Sequence, residues 1–261
     1  MQGIYYKGHS NLLNDYHLLA FDELDSTNEE AKRLAKAGGA HGAVVWAKKQ
    51  TGGKGRLGRE WVSQEGNLFV SILLKPERKI PDLSQLSFVA SVALIESLVD
   101  MFGDSHKLAC KWPNDVLLDE KKLAGILLES FPCELDGKQW VVVGVGVNVD
   151  SHPSHTQFPS ICLTEAGVEL VSAKIVLSRF NHHFIECYNE WENKGFAGIR
   201  KRWTSYAWGM KKEITARLPD REITGIAQEI DPSGCLVIKD KKGAKHIIHA
   251  ADVFPAEKEI A

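Results

Sequence analysis

Five short segments of the chain concentrate side chains able to do chemistry. The densest is TGGKGRLGREW (51–61), with four glycines and three cations in eleven residues. Such a loop suits an anion, held by closely approaching backbone N–H groups and by cationic side chains. DSTN (25–28) sets two hydroxyls and an amide at a helix start. KWPND (111–115) gathers a cation, an indole, an amide and a carboxylate around Pro113. KKLAGILLE (121–129) places Lys121 and Lys122 before an apolar run containing Gly125, and GVGVN (144–148) ends a strand in two glycines and Asn148.

Two familiar anion loops share the spacing of the glycine segment, and neither survives its context. A P-loop needs Lys and then Ser or Thr directly after its last glycine; Arg59 and Glu60 stand there. Gly53, Gly55 and Gly58 satisfy G-x-G-x-x-G, but a dinucleotide turn must open a helix whose N-terminus holds the pyrophosphate. The next segment is instead NLFVSILLKP (67–76), a β-prone apolar run ended by Pro76. The loop therefore lies between two strands.

Singly, each segment also has a plain structural meaning. Ser26 and Thr27 can cap a helix, and Lys121 and Lys122 can be solvated turn residues. Gly144 and Gly146 can relieve packing in a strand, and Trp61 and Trp112 can fill a core.

The elements that must position these segments are legible. DSTNEEAKRLAKAGG (25–39) reads as a helix, with Asp25 or Ser26 as cap, Glu29 completing a capping box and Gly38 closing it. GAVVWAKKQ (42–50) reads as a strand entering the glycine loop, and 84–103 as a long, mostly apolar helix buried on more than one side. Strand-like runs occupy 107–112, 115–119, 123–130 and 139–149, with DEKK (119–122) as a turn, then helices at about 173–194 and 196–206. This order implies an α+β domain, a mixed sheet with packed helices. From Gly209 onward, four short strand candidates separated by PD, DPSG and KKG imply a small β-barrel. The expected division is 1–208 and 209–261.

Bulk properties narrow the function. The 261 residues are 44% hydrophobic and 25% charged, with a formal net charge of −2. This gives no bulk attraction to nucleic acid. The five cysteines contain no C-x-x-C pair and the N-terminus lacks a secretory leader, so a cytoplasmic chain with free thiols is expected. The strongly apolar run WVVVGVGVNV (140–149) is too short to span a bilayer. His152 with His155, and His182 with His183, lack an acidic partner at helical spacing and read as surface or core histidines rather than metal ligands.

Together and in this order, the motifs DSTN, QTGGKGRLGREW, KWPNDVLLDEKKLAGILLE and VGVGVNV make the chain resemble the biotin–protein ligases. The likeness runs from about residue 20 to the end and includes GIAQEIDPSGCLVI (225–238). The resemblance implies a class II synthetase-like catalytic domain with a C-terminal SH3-like β-barrel. It also implies an ATP-dependent enzyme that forms biotinyl-5′-AMP with release of pyrophosphate, then transfers biotin to a lysine of a biotin carboxyl carrier protein. Biotin contacts would come from Ser26, Thr27, Gln50, Gly53, Lys54, Arg56, Lys122 and Gly125. ATP or adenylate contacts would come from Arg56, Arg59, Trp61, Lys111, Asn114 and Asn148. Arg56 and Lys122 would be the catalytic cations, Asp115 would hold Mg²⁺, and no tightly bound prosthetic group is implied. The family includes monomers and homodimers.

Two departures stand out. The family loop is commonly G-R-G-R-x-G-R-x-W, and Lys54 replaces its first arginine, keeping charge but losing the planar fork. Weaker retention of the adenylate is expected, tested by comparing its dissociation from wild type and Lys54→Arg. Family members that also repress transcription carry a DNA-binding domain ahead of DSTN; with 25 residues before Ser26, the short form is expected, with no DNA and no membrane partner. The alternatives are a lipoate or octanoate ligase or transferase, and a non-catalytic biotin-binding module.

Overall fold

A computed structural model describes residues 16–103, 107–154 and 156–256. Seven strands form one sheet in the order β1-β2-β3-β7-β6-β5-β4. They are β1 (His17–Leu24), β2 (Ala43–Gln50), β3 (Leu68–Leu74), β4 (Leu108–Lys111), β5 (Asp115–Leu118), β6 (Lys121–Pro132) and β7 (Gln139–Val147). Only β1 and β2 pair in parallel, joined by the crossover helix α1 (Thr27–Lys36); the remaining pairs are antiparallel.

The period of two along each strand divides the sheet into two faces. Val44 of β2, Leu68, Val70, Ile72 and Leu74 of β3, and Val141, Val143, Val145 and Val147 of β7 face the main core. There they meet α2 (Leu86–Phe102), α3 (Ala173–Lys194) and α4 (Phe196–Ser205). On the other face, Ala43, Val45, Leu73 and Val142 pack under Ala31 and Ala35 of α1. Because α1 is a single ten-residue helix, it covers only part of that face. The uncovered part carries Gly125, Gly146 and Asn148, and Ser71, Glu129 and Gly144 lie under the first turns of α1, small or polar side chains where a core would need apolar ones.

Five further strands, β8 (Glu213–Arg217), β9 (Glu222–Ile230), β10 (Leu236–Lys239), β11 (Lys245–Ile248) and β12 (Asp252–Pro255), form an antiparallel sheet in the order β11-β10-β9-β8-β12. This is the smaller C-terminal unit, consistent with an SH3-like fold. The four expected strands are joined by β12, an addition to the sequence reading.

Several local expectations change. Strand β1 is a second addition. The segment Ile80–Phe102 is long and apolar enough to cross a membrane by composition, though most of it is buried against the sheet and α3. The DEKK turn is shorter than expected: Asp119 and Glu120 take the left-handed conformation (φ 48° and 64°), and β6 already begins at Lys121. A bulge between Val116 and Leu117 then shifts the β5–β6 register, turning Lys122 toward Gly125. The capping box does not form. Ser26 makes no side-chain cap, and Glu29 instead holds Lys32 and Lys54. Gly38 does close α1, at φ 80°.

Candidate active site

The uncovered sheet face floors a cleft of about 450 Å³, within the size range of small-ligand sites. Its floor is bare because glycines alternate with core valines along β7. A Cβ added at Gly144 would lie 2.2 Å from Asn28 Oδ1, and one at Gly146 would lie 2.6 Å from the Trp61 indole. Gly125 on β6 is similar, its Cβ position 2.9 Å from Trp61. These glycines admit side chains from other elements onto the backbone.

One end of the cleft is a chain of neutral hydrogen bonds. Gln50, at the end of β2, accepts the Thr27 backbone N–H at 2.8 Å through Oε1 and donates from Nε2 to Ser63 at 2.9 Å. Ser63 in turn donates to the Trp61 carbonyl at 2.8 Å. Gly53 has no room for a side chain, since its Cβ would meet Ser63 Oγ at 2.4 Å. Ser71 of β3 lies 2.7 Å from Thr27 Oγ1 and donates to Asn28 Oδ1 at 2.5 Å. Asn28 donates to Glu129 at 2.7 Å, and Glu129 also accepts from Lys32 at 2.6 Å. Burial alone would pull the Lys32 ammonium down, but its bonds to Glu129 and Glu29 hold its pKa above the ordinary lysine value.

The other end is cationic. Asp115 is buried, with Lys122 Nζ 2.6 Å from Oδ1 and Lys111 Nζ 3.2 Å from Oδ2. Burial pushes the Asp115 carboxyl up, and the two ammoniums overcome it, leaving its pKa below the usual carboxylate range. Burial pulls the Lys111 ammonium down. Lys111 also lies 4.6 Å from the Phe158 ring centroid, and Lys122 lies 5.4 Å from that of Trp61. Arg56 reaches Asn114 Oδ1 at 3.2 Å and the Ala251 carbonyl at 3.5 Å. The loop carrying it is a small hairpin, with Lys54 bridged to Glu60 and Leu57 in the left-handed region at its tip (φ 56°). Arg59 is hydrogen-bonded to Asp252, so the C-terminal sheet touches the loop directly.

The expected site residues line one cleft except Gly53, which lies against Ser63, Trp61 and Gln50 beside it. Ser26 and Thr27 are almost fully buried at its neutral end with Gln50. Trp61, expected on the nucleotide side, lies against Gly125 and Gly146. Lys54 lines the cleft but aims its ammonium at Glu29, 2.8 Å away. Asn114 donates to the Ile126 carbonyl, and Asn148 to that of Ile161 at 3.1 Å, which fixes the loop beyond β7.

The magnesium expectation does not fit Asp115. Both of its oxygens face ammonium groups in a buried setting, where a divalent cation would meet like charge. Asp115 instead positions Lys111 and Lys122. Sequence reasoning misses Ser63, Ser71, Glu129, Phe158 and Asp252, most of whose partners are distant in the chain, and notes the Asn28 amide within DSTN without giving it a role. The histidines need one correction: His182 does have an acid at helical spacing, Glu186 at 3.4 Å, while His183 meets Asp100 at 2.8 Å. His152 comes near Cys162 and Glu165, but Lys121 stands 3.7 Å from that glutamate. His155 lies outside the described residues.

Known proteins share this arrangement of elements. Residues 20–148 match the biotin/lipoate A/B protein ligase family, and residues 212–254 match the biotin protein ligase C-terminal domain. The bifunctional ligase/repressor BirA of Bacillus subtilis is 34% identical over 91% of this chain and 73% of its own length. The biotin–[acetyl-CoA-carboxylase] ligase of Paracoccus denitrificans is 38% identical over 88% of this chain and 97% of its own. Among solved structures, the biotin protein ligase of Aquifex aeolicus in complex with biotin and ATP superposes with a TM-score of 0.79 at 28% identity, covering 92% of this chain and 99% of that one.

Proposed function

The chain belongs to the biotin protein ligase family and is a ligase of biotin and ATP, and from that premise we propose the two half-reactions its cleft performs. In the first, the biotin carboxylate attacks the α-phosphorus of ATP; an O–P bond forms, pyrophosphate leaves and biotinyl-5′-AMP remains. In the second, a neutral lysine amine of a biotin carboxyl carrier protein attacks the acyl carbon. An amide forms, AMP departs, and the amine loses its proton to solvent.

The observation that carries this reading is the polarity of the cleft. One end offers a neutral hydrogen-bonded group around Thr27 and Gln50, suited to a cyclic urea. The other brings Lys111 and Lys122 onto Asp115 with Arg56 close by. Three cations around one buried carboxylate leave net positive charge where two anionic groups must approach. In this reading Lys122 and Arg56 draw the carboxylate and α-phosphate oxygens together, Arg56 with its forked donors. Ser26, Thr27, Gln50 and Gly53 hold the ureido head, with Lys54 and Gly125 beside it; Lys111, Asn114, Asn148 and Arg59 serve the nucleotide end. Trp61, spanning both ends over Gly125 and Gly146, shields the mixed anhydride from water. Magnesium would arrive with the phosphates of ATP rather than on Asp115.

The test is direct. Purified protein with biotin, ATP, Mg²⁺ and a biotin carboxyl carrier domain should release pyrophosphate and add one biotin mass to the carrier. Lipoate in place of biotin should do neither; lipoate turnover without biotin turnover would establish the alternative. We also propose that the protein works in the cytoplasm, supported by its unpaired cysteines, and does not repress transcription. Its net charge of −2 favours the latter, and a salt-sensitive, sequence-specific shift of duplex DNA would overturn it.

A further inference from the structure

At the base of the loop beyond β7, three side chains of metal-ligating type converge. One ligand atom from each of His152, Cys162 and Glu165 lies within 4.8 Å of the others. Hydrogen-bond directions fix what the histidine offers. Ser160 gives its proton to the Pro153 carbonyl at 2.7 Å, so the contact between His152 Nδ1 and Ser160 Oγ at 3.0 Å needs the proton of the ring. The Pro153 carbonyl, 3.3 Å from the same nitrogen, needs it too. Nδ1 therefore carries the N–H, and in the neutral ring Nε2 turns its lone pair toward Glu165 Oε2, 2.7 Å away. Two acceptors face each other there, and a cation between them resolves the conflict. Cys162, almost fully buried, brings a sulfur to the same cluster. Lys121 does not fill the gap, because it stands 3.7 Å from the other oxygen, Oε1, on a half-exposed side chain.

We propose that His152, Cys162 and Glu165 form a zinc site that clips the loop beyond β7 at its base. One imidazole, one thiolate and one carboxylate suit zinc, and the two anions balance its charge. A ring whose other nitrogen donates to a hydroxyl or carbonyl is oriented as zinc-binding histidines are. Zinc bonds of about 2.0–2.3 Å place tetrahedral ligand atoms roughly 3.5 Å apart, so histidine and glutamate part slightly while the sulfur closes in. The thiol proton leaves to solvent as the metal binds. Three protein ligands leave the fourth position to water, which makes the ion exchangeable. The clip matters to the cleft. Between its ligands the chain places Pro153 and Phe158 in the cleft wall. The Lys122 N–H donates to the Pro159 carbonyl at 2.7 Å, and the Ile161 N–H to that of Lys122 at 3.0 Å. Fastening the base of the loop therefore steadies the backbone that carries a cation of the cleft. No residue of the biotin reading takes part as a ligand, so the site stands independently of it.

Cobalt(II), a spectroscopic stand-in for zinc, tests the site in the full-length protein. Wild type should bind one Co²⁺ per chain, with visible ligand-field bands and a thiolate-to-cobalt charge-transfer band, all erased by Zn²⁺. Cys162→Ser should lose the charge-transfer band. His152→Gln should weaken cobalt binding at least about tenfold, the least that loss of even a supporting residue costs a metal site. Cys235→Ser, at the thiol beside His249, should change neither. Hydrogen exchange gives a second readout: Zn²⁺ should slow exchange of the Ile161 and Leu163 amides in wild type and leave it unchanged in His152→Gln. No charge-transfer band in wild type, a band that survives in Cys162→Ser or is lost in Cys235→Ser, equal affinity in His152→Gln, or exchange unmoved by zinc would each overturn the proposal. His152 is partly exposed, so His152→Gln keeps the test decisive if Cys162→Ser does not fold.

Discussion

At the scale of single residues, Lys122 and Asp115 decide the most. Lys122→Ala should lower biotin-dependent pyrophosphate release about a hundredfold or more, the range seen when one preorganised charge-stabilising donor is removed. A turn lysine would cost little stability, but Lys122 sits on β6 against a buried carboxylate. The same variant should therefore also lose roughly 1–3 kcal/mol in urea melts, the cost of depriving a buried group of a partner. Asp115 sets a pH dependence. Its folded pKa lies below its unfolded one, so its stabilising contribution is fully present above the unfolded value, near about pH 4, and is lost as pH falls through the folded value. Urea melts from about pH 6 down to about pH 2 should show this loss in wild type and a flatter profile in Asp115→Asn. Residue types alone announce Lys111, Asp115 and Lys122, because charged groups flanking apolar strands are conspicuous. Glu129 and Ser71 are not conspicuous, since a strand with one solvated face carries such residues routinely, and only the distant partners Asn28 and Lys32 give them meaning.

At the scale of elements, the glycine loop differs from its sequence impression. Glycine content and the scarcity of apolar anchors favour mobility, yet the loop closes on itself through Gly55 N–H to the Arg59 carbonyl at 2.7 Å and Trp61 N–H to that of Gly53 at 3.0 Å, and is tied outward from Lys54 to Glu29, Arg56 to Asn114 and Arg59 to Asp252. Asp252→Ala should release the last of these and speed tryptic cleavage at Lys54, Arg56 and Arg59 several-fold. Biotin and ATP together should slow cleavage in both proteins, as read by electrophoresis and mass spectrometry. The helices and central strands are readable because their periodicity is strong. β1 escapes notice because its exposed Asp22 and Glu23 interrupt the alternation, and β12 because it is four residues long and ends in Pro255. The capping box gives way to charge pairs, one local and one tertiary, as Lys32 one turn along α1 and Lys54 of the glycine loop both hold Glu29.

At the scale of the whole molecule, the C-terminal sheet helps to build the cleft. Asp252 and Phe254 line it, Trp112 Nε1 donates to the Gly234 carbonyl at 3.0 Å, and Arg200 donates to that of Ile230 at 2.9 Å. Deletion from residue 209 onward should abolish pyrophosphate release, and the remaining protein should melt at a lower temperature. Packing also governs the thiols. All five cysteines are free and buried, and burial pushes the Cys187 thiol up to about 12 and those of Cys110 and Cys235 above their ordinary value. A disulfide reagent at about pH 8, close to where an ordinary thiol ionises, should therefore react slowly with native protein and count five thiols after denaturation. The bare strip of Gly125, Gly144 and Gly146 has an evolutionary corollary. A pocket floor made of backbone is already at its deepest, so no point mutation there can enlarge it and every replacement fills it in. Descendants that accept bulkier acids must therefore arise from changes in the roof, at Trp61, Gln50 or the loop beyond β7, while the floor can only be inherited or lost.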